Sequence, residues 1–305
     1  MTQVIDVPQR LTEHSFDQFA AAFAAGAGAG AARVLVDAHA CAWASPSGLV
    51  GLLCAGQALA ARGGPKPLLT VPSDFEVAHY WARAGFFARA PEFYEIHGTV
   101  PRVKPNPERT VILEVTPIAV ADDVHAVVGR IQERAATILT AELGLEAKAT
   151  MGFGMALSEA CQNIVEHAGT GGWVAVQTYN WRSVGRKVAV IAVADAGVGF
   201  RHTLEATQAK RHGERWGDAV ALETALIQGV SRFRDPGRGQ GLAGIRRYLD
   251  RWHGKISIRS GTARITIVPE RDRERDRDEP LRDGLPPFPG SQVNLVVPEA
   301  EREAR

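Results

Sequence analysis

Cysteine is scarce in this chain, with three among 305 residues, and methionine is equally rare. Cys41, Cys54 and Cys161 are odd in number and lack metal-ligand spacing, so neither a disulfide framework nor a thiolate metal centre is indicated. Each sits in an apolar segment and reads as a reduced core residue. An excess of one charge is also missing. Thirty-five Lys and Arg face 34 Asp and Glu, a net charge of +1, which removes any strong pull toward nucleic acid or an anionic membrane. There is no long hydrophobic run either. The most apolar stretch, "SGLVGLLCAGQALAARGG", is too short and too interrupted by Gly and polar residues to span a bilayer. The opening "MTQVIDVPQRLTEHSFDQF" lacks the basic-then-apolar pattern of an export signal. These absences point to a cytoplasmic location, with no nucleic acid and no membrane among the partners.

What is present is the composition of a globular protein, 45% hydrophobic and 23% charged. At roughly 100–200 residues per domain, the length predicts two domains. Residues 15–32 begin as a helix and end in an Ala/Gly tract too thin to pack well. The β-branched run "RVLVDA" (33–38) reads as a buried strand. Residues 45–64 read as a helix, with Ser45 as cap, Pro46 at the first position and Gly63-Gly64 as stop. "PLLTVP" (67–72) is a second strand, and 73–87 a second helix with Ser73 as its N-cap. Alternating strands and helices at this spacing predict a small α/β domain with parallel neighbours over residues 1–92. The prolines of "TVPRVKPNPE" mark a linker over 93–108.

A second domain is expected over 109–298, with 299–305 as a tail. It holds a strand near 109–117, a long helix over 121–143, a helix over about 150–168 and the hairpin strands "GWVAVQTYN" and "KVAVIAVAD". A helix over 216–230, a Gly-rich loop and the helix "GLAGIRRYLDRWH" follow. The strands "KISIRSG", "ARITIVP" and "SQVNLVVP" complete it. The alternating charges and prolines of 269–288 predict a solvated, disordered loop.

Three patterns in this domain carry chemistry. In "LSEACQNIVEHA", Glu159 and Asn163 lie four apart and share one helix face. The Asn amide oxygen suits Mg2+, which takes few protein ligands and keeps waters and phosphate oxygens. The Glu beside it suits orienting or deprotonating a nucleophile. In "AVADAGVGF", Asp195 ends an apolar strand and Gly197 and Gly199 follow; an ionised carboxylate accepts from an amino donor, and glycines let backbone approach a flat ring. In "DPGRGQGLAGIRRYL", Gly237, Gly239 and Gly241 feed a helix starting near Leu242, where free N–H groups and the positive dipole end suit phosphate. Arg232, Arg234 and Arg238 surround this loop. Singly, each pattern has a plainer reading as an exposed helix face, a turn or a capped loop.

In this order the three resemble the N, G1 and G2 boxes of the GHKL, or Bergerat-fold, ATPases, and most of all the anti-sigma-factor serine kinases among them. The resemblance covers about 109–298 and implies a two-layer α/β sandwich with ATP and Mg2+ as cofactors. It implies Glu159 as the general base or orienting group and Asn163 as the Mg2+ ligand. Asp195 would bind adenine, with Gly197 and Gly199 shaping the pocket. Gly237, Gly239, Gly241 and the helix start at Leu242 would hold phosphates, under a lid spanning 201–238. The family's final Gly-Thr is matched by Gly290-Ser291, with Gly261-Thr262 in competition. His167 receives no chemical role. A sensor histidine kinase fits less well, because "DDVHAVV" lacks an acidic residue directly after His125.

The N-terminal stretch resembles a STAS domain, the fold of the anti-anti-sigma factors. Their phosphorylatable "DSSG"-like turn reads here "SPSG", Ser45 to Gly48. Ser47 stands at the phosphoacceptor position, although capping and first-turn chemistry are the simpler account of it. Together the resemblances imply a regulatory protein acting by Mg·ATP-dependent serine-kinase or ATPase activity in partner switching. Its partners would be a sigma-factor regulator or another STAS protein, met through the N-terminal domain, and a second copy of the chain in a homodimer. The alternatives are a non-catalytic ATP-sensing scaffold and, with less support, a cytosolic histidine kinase.

Overall fold

The computed structural model describes residues 2–27, 33–103, 113–127, 129, 139–140, 143–181, 186–229, 241–270 and 279–300. Four short parallel strands build the N-terminal sheet: β1 (Thr2–Asp6), β3 (Arg33–Asp37), β5 (Leu68–Thr70) and β6 (Glu95–His97), in that spatial order. The outer two strands were not anticipated. β1 buries Ile5 but exposes Val4, an alternation too brief to stand out in sequence. Beside this sheet, β2 (Arg10–Leu11) pairs with β4 (Trp43–Ala44).

Helix α1 is Phe16–Ala27; residues 28–32 of the Ala/Gly tract lie outside the described residues. Helix α2 (Pro46–Ala61) starts as its sequence predicts: the Ser45 hydroxyl accepts the Gly48 N–H at 3.3 Å, and Pro46 occupies the first turn. The chain leaves it through Gly63 and Gly64, both at positive φ. The next helix departs from expectation. Asp74, not Ser73, caps α3 (Phe75–Arg83), accepting from the N–H groups of Glu76 and Val77 at 2.8 and 3.1 Å. A carboxylate one residue closer to the helix displaces Ser73, whose hydroxyl instead donates to the His39 carbonyl. Gly85, at φ 77°, then breaks the run before α4 (Phe86–Arg89).

The C-terminal part is one antiparallel sheet of seven strands in the order β12-β11-β10-β13-β9-β8-β7. These are β7 (Leu113–Ile118), β8 (Gly172–Trp181), β9 (Arg186–Asp195), β10 (Lys255–Gly261), β11 (Ala263–Ile267), β12 (Leu281–Arg282) and β13 (Phe288–Pro298). β8 and β9 form the expected hairpin; its turn, 182–185, lies outside the described residues. The last strand, β13, inserts between β9 and β10. The linker residues 104–108 and most of the long helix expected over 121–143 also lie outside, apart from a helical run, α5, at 121–127 and scattered residues beyond it.

Strand alternation gives this sheet two chemically different faces. Ile191 and Val193 of β9 and Val293, Leu295 and Val297 of β13 face a core shared with helices α6 (Ala147–Asn163), α7 (Gly199–His212), α8 (Asp218–Leu226) and α9 (Gly241–Arg251). Ala192 and Ala194 of β9 face the other way, into a core shared with α1, α2 and the N-terminal sheet. Helix α2 therefore has no solvent side over most of its length, and residues 46–56 are all buried. Its glycines mark the tight contacts. A side chain at Gly51 would meet the Phe16 ring at 2.3 Å, and one at Gly48 the Leu11 carbonyl at 2.5 Å. The apolar run that could not cross a membrane is thus the filling between the seven-stranded sheet and the N-terminal sheet. Among the described residues no helix is long and apolar enough to span a bilayer. Cys41, Cys54 and Cys161 are free and buried, as core residues should be.

Polar groups also cross between the two parts. Arg259 of β10 and Arg264 of β11, only 4% and 3% exposed in their side chains, converge on Asp17 of α1 at 3.2 and 3.0 Å. Arg264 also donates to the Glu13 carbonyl, and Arg259 to the carbonyls of Gly261 and Pro286. The rings of Phe16 and Phe288 flank the Arg259 guanidinium, each centred 5.9 Å away. At the other end, Tyr80 and Tyr179 both donate to Gln177, and Tyr80 stacks on Trp43.

The loop expected to be disordered over 269–288 needs correction in its described part. Residues 271–278 lie outside the described residues, but Leu281–Arg282 pair with β11, and Leu285 and Phe288 are buried. Three apolar anchors among the charges fasten this end, and Arg282 joins the cluster around Asp17 at 3.9 Å.

Removing the shared carboxylate leaves two buried guanidinium groups short of their counter-charge. Asp17→Ala is expected to destabilise the protein by about 3 kcal/mol, measured by urea unfolding; an unchanged midpoint would show that the cluster holds nothing together.

Candidate functional site

Helix α6 carries Glu159 and Asn163 on one side, one turn apart. At Asn163 its hydrogen bonding changes, and Ile164–Ala168 continue as a single π-helical turn ending at Gly169 in the left-handed region. Such a turn inserts an extra residue into the helix and recurs at functional sites. Here it brings the Ala168 main chain against the loop that follows β9. A side chain at Gly197 would lie 2.1 Å from the Ala168 carbonyl oxygen, so the contact exists only because position 197 has no Cβ.

Asp195 ends β9 on the face covered by helices and is 3% exposed. One carboxylate oxygen accepts the Gly197 N–H at 2.8 Å, and the other accepts the Ser291 hydroxyl. Burial pushes this carboxyl above its usual range, and the bonds from Ser291 and Gly197 oppose the shift. β13 approaches through Gly290, whose φ is 73° and whose Cβ would fall 2.1 Å from the Asp195 carbonyl oxygen. The structure thereby separates the two Gly-Ser/Thr candidates. Gly290-Ser291 adjoins Asp195, whereas Thr262 gives its N–H and hydroxyl to Asp218 at 2.9 and 2.8 Å.

Asn163, Ala168, Asp195, Gly199, Phe200, Thr203 and Ser291 line one cleft, partly open to solvent. Four candidates from three separate segments, Asn163, Asp195 with Gly199, and Ser291, therefore line one cavity. The Asn163 amide nitrogen is buried with no hydrogen-bond partner. Glu159 lies one turn back along α6 and is half-buried. Burial, and secondarily the charge of Glu166, raises its pKa above the ordinary glutamate value.

Gly237 and Gly239, with Arg232, Arg234 and Arg238, lie outside the described residues. Gly241 opens α9. The Leu242 side chain is buried in the core, so Leu242 can serve a ligand only through its main-chain N–H at the helix start. The segment 201–238 expected as a lid is described as far as residue 229. α7 and α8 occupy most of it, and Leu204, Leu222 and Leu226 anchor them in the core, so the described stretch is packed structure. Ser47 is not brought to this pocket. It lies on α2, across the sheet, 6% exposed and bonded to the Ser45 hydroxyl at 2.7 Å. Sequence reasoning missed Ala168, Phe200 and Thr203 as lining residues. Phe200 and Thr203 follow the Asp-x-Gly-x-Gly pattern on the first turn of α7, a helix start that no capping residue announces.

Residues 121–267 match the family model of the histidine kinase-like ATPase domain. The match spans just under half of the chain. It contains Glu159, Asn163, Asp195, Gly197, Gly199 and Gly241, and ends before Gly290. No curated protein matches the chain. A histidine kinase-like ATPase domain implies ATP as ligand. The pocket's residues fit an adenine nucleotide: a buried acceptor carboxylate, main chain brought close by glycines, and an unpartnered amide. Among the described residues no three His, Cys, Asp or Glu side chains cluster to hold a metal.

The raised pKa of Asp195 carries a stability consequence. In the folded protein this carboxyl binds its proton more tightly than in the unfolded chain, whose value is 3.8. Its contribution is therefore most favourable at low pH and is lost as pH rises through the folded value. Asp195→Asn removes that loss. The variant should gain stability relative to the parent as pH rises from about 4 toward 7. Urea unfolding across this range checks the expectation, and a difference independent of pH would contradict it.

Proposed function

We propose that this protein is a cytoplasmic Mg·ATP-dependent regulator whose histidine kinase-like ATPase domain transfers the γ-phosphoryl group to a protein serine or to water, in partner-switching signalling through a STAS-like N-terminal domain. The observation that carries the reading is the buried Asp195 carboxylate, held by Ser291 and Gly197 and lining one cavity with Asn163.

In this reading Asp195 accepts the exocyclic amine of adenine, beside main chain brought close by Gly197 and Gly199. Asn163 gives its amide oxygen to the metal, and Mg2+, when bound, supplies neutralisation of phosphate charge. Gly237, Gly239, Gly241 and the main chain at Leu242 hold phosphate oxygens. Glu159 takes the proton of the attacking hydroxyl or water as its oxygen bonds to the γ-phosphorus and ADP leaves. A carboxyl whose pKa is raised toward neutrality suits that role better than an ordinary one. Positioning and charge stabilisation supply most of the catalysis in phosphoryl transfer. The proposed partner is a sigma-factor regulator or another STAS protein, and the proposed assembly a homodimer.

A second reading, an ATP-sensing scaffold without turnover, draws on the burial of Ser47. With α2 packed against the seven-stranded sheet, the serine at the proposed acceptor position is shielded from a kinase. Incubation with Mg·γ-labelled ATP and cell lysate separates the two. Label on a protein or released as phosphate supports the first reading, and binding without either supports the scaffold. Asn163→Ala should weaken Mg·ATP binding at least about tenfold. Glu159→Gln should keep binding and lower turnover by about 10^2–10^4; undiminished turnover would remove Glu159 from the chemistry.

A further inference from the structure

Ser260 was given no role by the three nucleotide motifs and does not line the pocket, yet its hydroxyl touches two of the walls. It is the penultimate residue of β10 and 2% exposed, paired across the sheet with Ser291 of β13. Alternation turns Ile258 and Ser260 to the face covered by α6–α9, and Ser257 and Arg259 to the opposite face. There the Ser260 hydroxyl accepts the Phe200 N–H at 3.0 Å and donates to the Gly290 carbonyl at 3.1 Å. Its single proton is thus committed to one wall and a lone pair to the other.

Each bond meets a local need. Helix α7 begins at Gly199, and Val198 before it offers no side-chain cap. The first N–H groups of a helix have no partner within it, and Ser260 supplies one from a strand about sixty residues away. The fit is close: a Cβ at Gly199, which has φ 73°, would lie 2.7 Å from the Ser260 oxygen. On the other side, the Gly290 carbonyl immediately precedes Ser291, and Ser291 donates to Asp195. The hydroxyl therefore spans from the start of α7, where Phe200 and Thr203 line the pocket, to the segment of β13 that holds the Asp195 carboxylate.

We infer that Ser260 is a positioning residue for the nucleotide site, fixing the distance between the α7 wall and the Gly290-Ser291 wall without touching the ligand. This rests on the nucleotide-binding reading above. Ser257 provides the comparison within the molecule. It is equally buried, on the same strand, and accepts from the Thr266 hydroxyl, but on the opposite face.

The test is Mg·ATP affinity of the full chain by calorimetry, with ligand-free melting of each variant. Ser260→Ala should bind about tenfold more weakly. Ser260→Thr, which keeps the hydroxyl, should restore most of the affinity. Ser257→Ala should melt lower, as removal of a buried hydrogen bond requires, with affinity unchanged. Should the alanine variant not fold, Ser260→Cys keeps the bulk with a weaker hydrogen-bonding group and should bind more weakly than Ser260→Thr. Parental affinity in Ser260→Ala, or an equal loss in Ser257→Ala, would overturn the positioning role while leaving the nucleotide reading intact. No nucleotide binding by the parent protein would overturn both.

Discussion

Close approach of backbone to backbone, at positions where a side chain is small or missing, is the constraint on which this structure depends. Ala192 and Ala194 on β9 let helix α2 settle on one face of the seven-stranded sheet, while the glycines of α2 let Leu11, Phe16 and Tyr94 close on that helix. Gly197 and Gly290 let main chain press on Ala168 and on Asp195 at the end of the same strand. β9 is therefore approached tightly from both faces. It serves at once as the seam between the two halves of the molecule and as the floor of the pocket. The Cys54 thiol on α2 registers this proximity: burial pushes its pKa well up, and the charge of Asp195 on the far face of the sheet adds to the shift.

That arrangement changes what the N-terminal part is physically. A separately folded module on a proline-rich tether would leave one face of the antiparallel sheet to solvent or to a partner. Here α1 and α2 cover that face, and two buried arginines of the sheet find their carboxylate on α1. Buried ion pairs add less to stability than their charges suggest, but losing one partner of such a pair is strongly unfavourable. The two parts are thus interlocked by apolar packing and by a charge cluster, and Ser47 lies within the joint.

Elements with a strong local cause were legible beforehand. Ser45-Pro46 started α2, the β-branched run at 33–38 formed a strand, and the three C-terminal strands appeared where their alternation put them. Local signals failed where two causes competed or where none was present. Ser73 lost its cap to the adjacent Asp74. β1 and β6 were too short to carry a period. Leu281, Leu285 and Phe288 were hidden among charges, so an ordered segment resembled a disordered one. In segment 201–226 the second helix was legible and the first was not, because α7 starts without a capping side chain.

The sequence by itself determined which residue types stand at Glu159, Asn163, Asp195 and the glycines, because a carboxylate, an amide and a missing side chain each restrict what its position can do. It put Gly290-Ser291 forward but left Gly261-Thr262 in competition, since both pairs offer a glycine and a hydroxyl before or within a strand. Tertiary structure decided that question by inserting β13 between β9 and β10, which carries Ser291 to Asp195 and leaves Thr262 to Asp218. Strand order is set by the packing of the whole sheet, and a contact between residues almost a hundred positions apart follows from it.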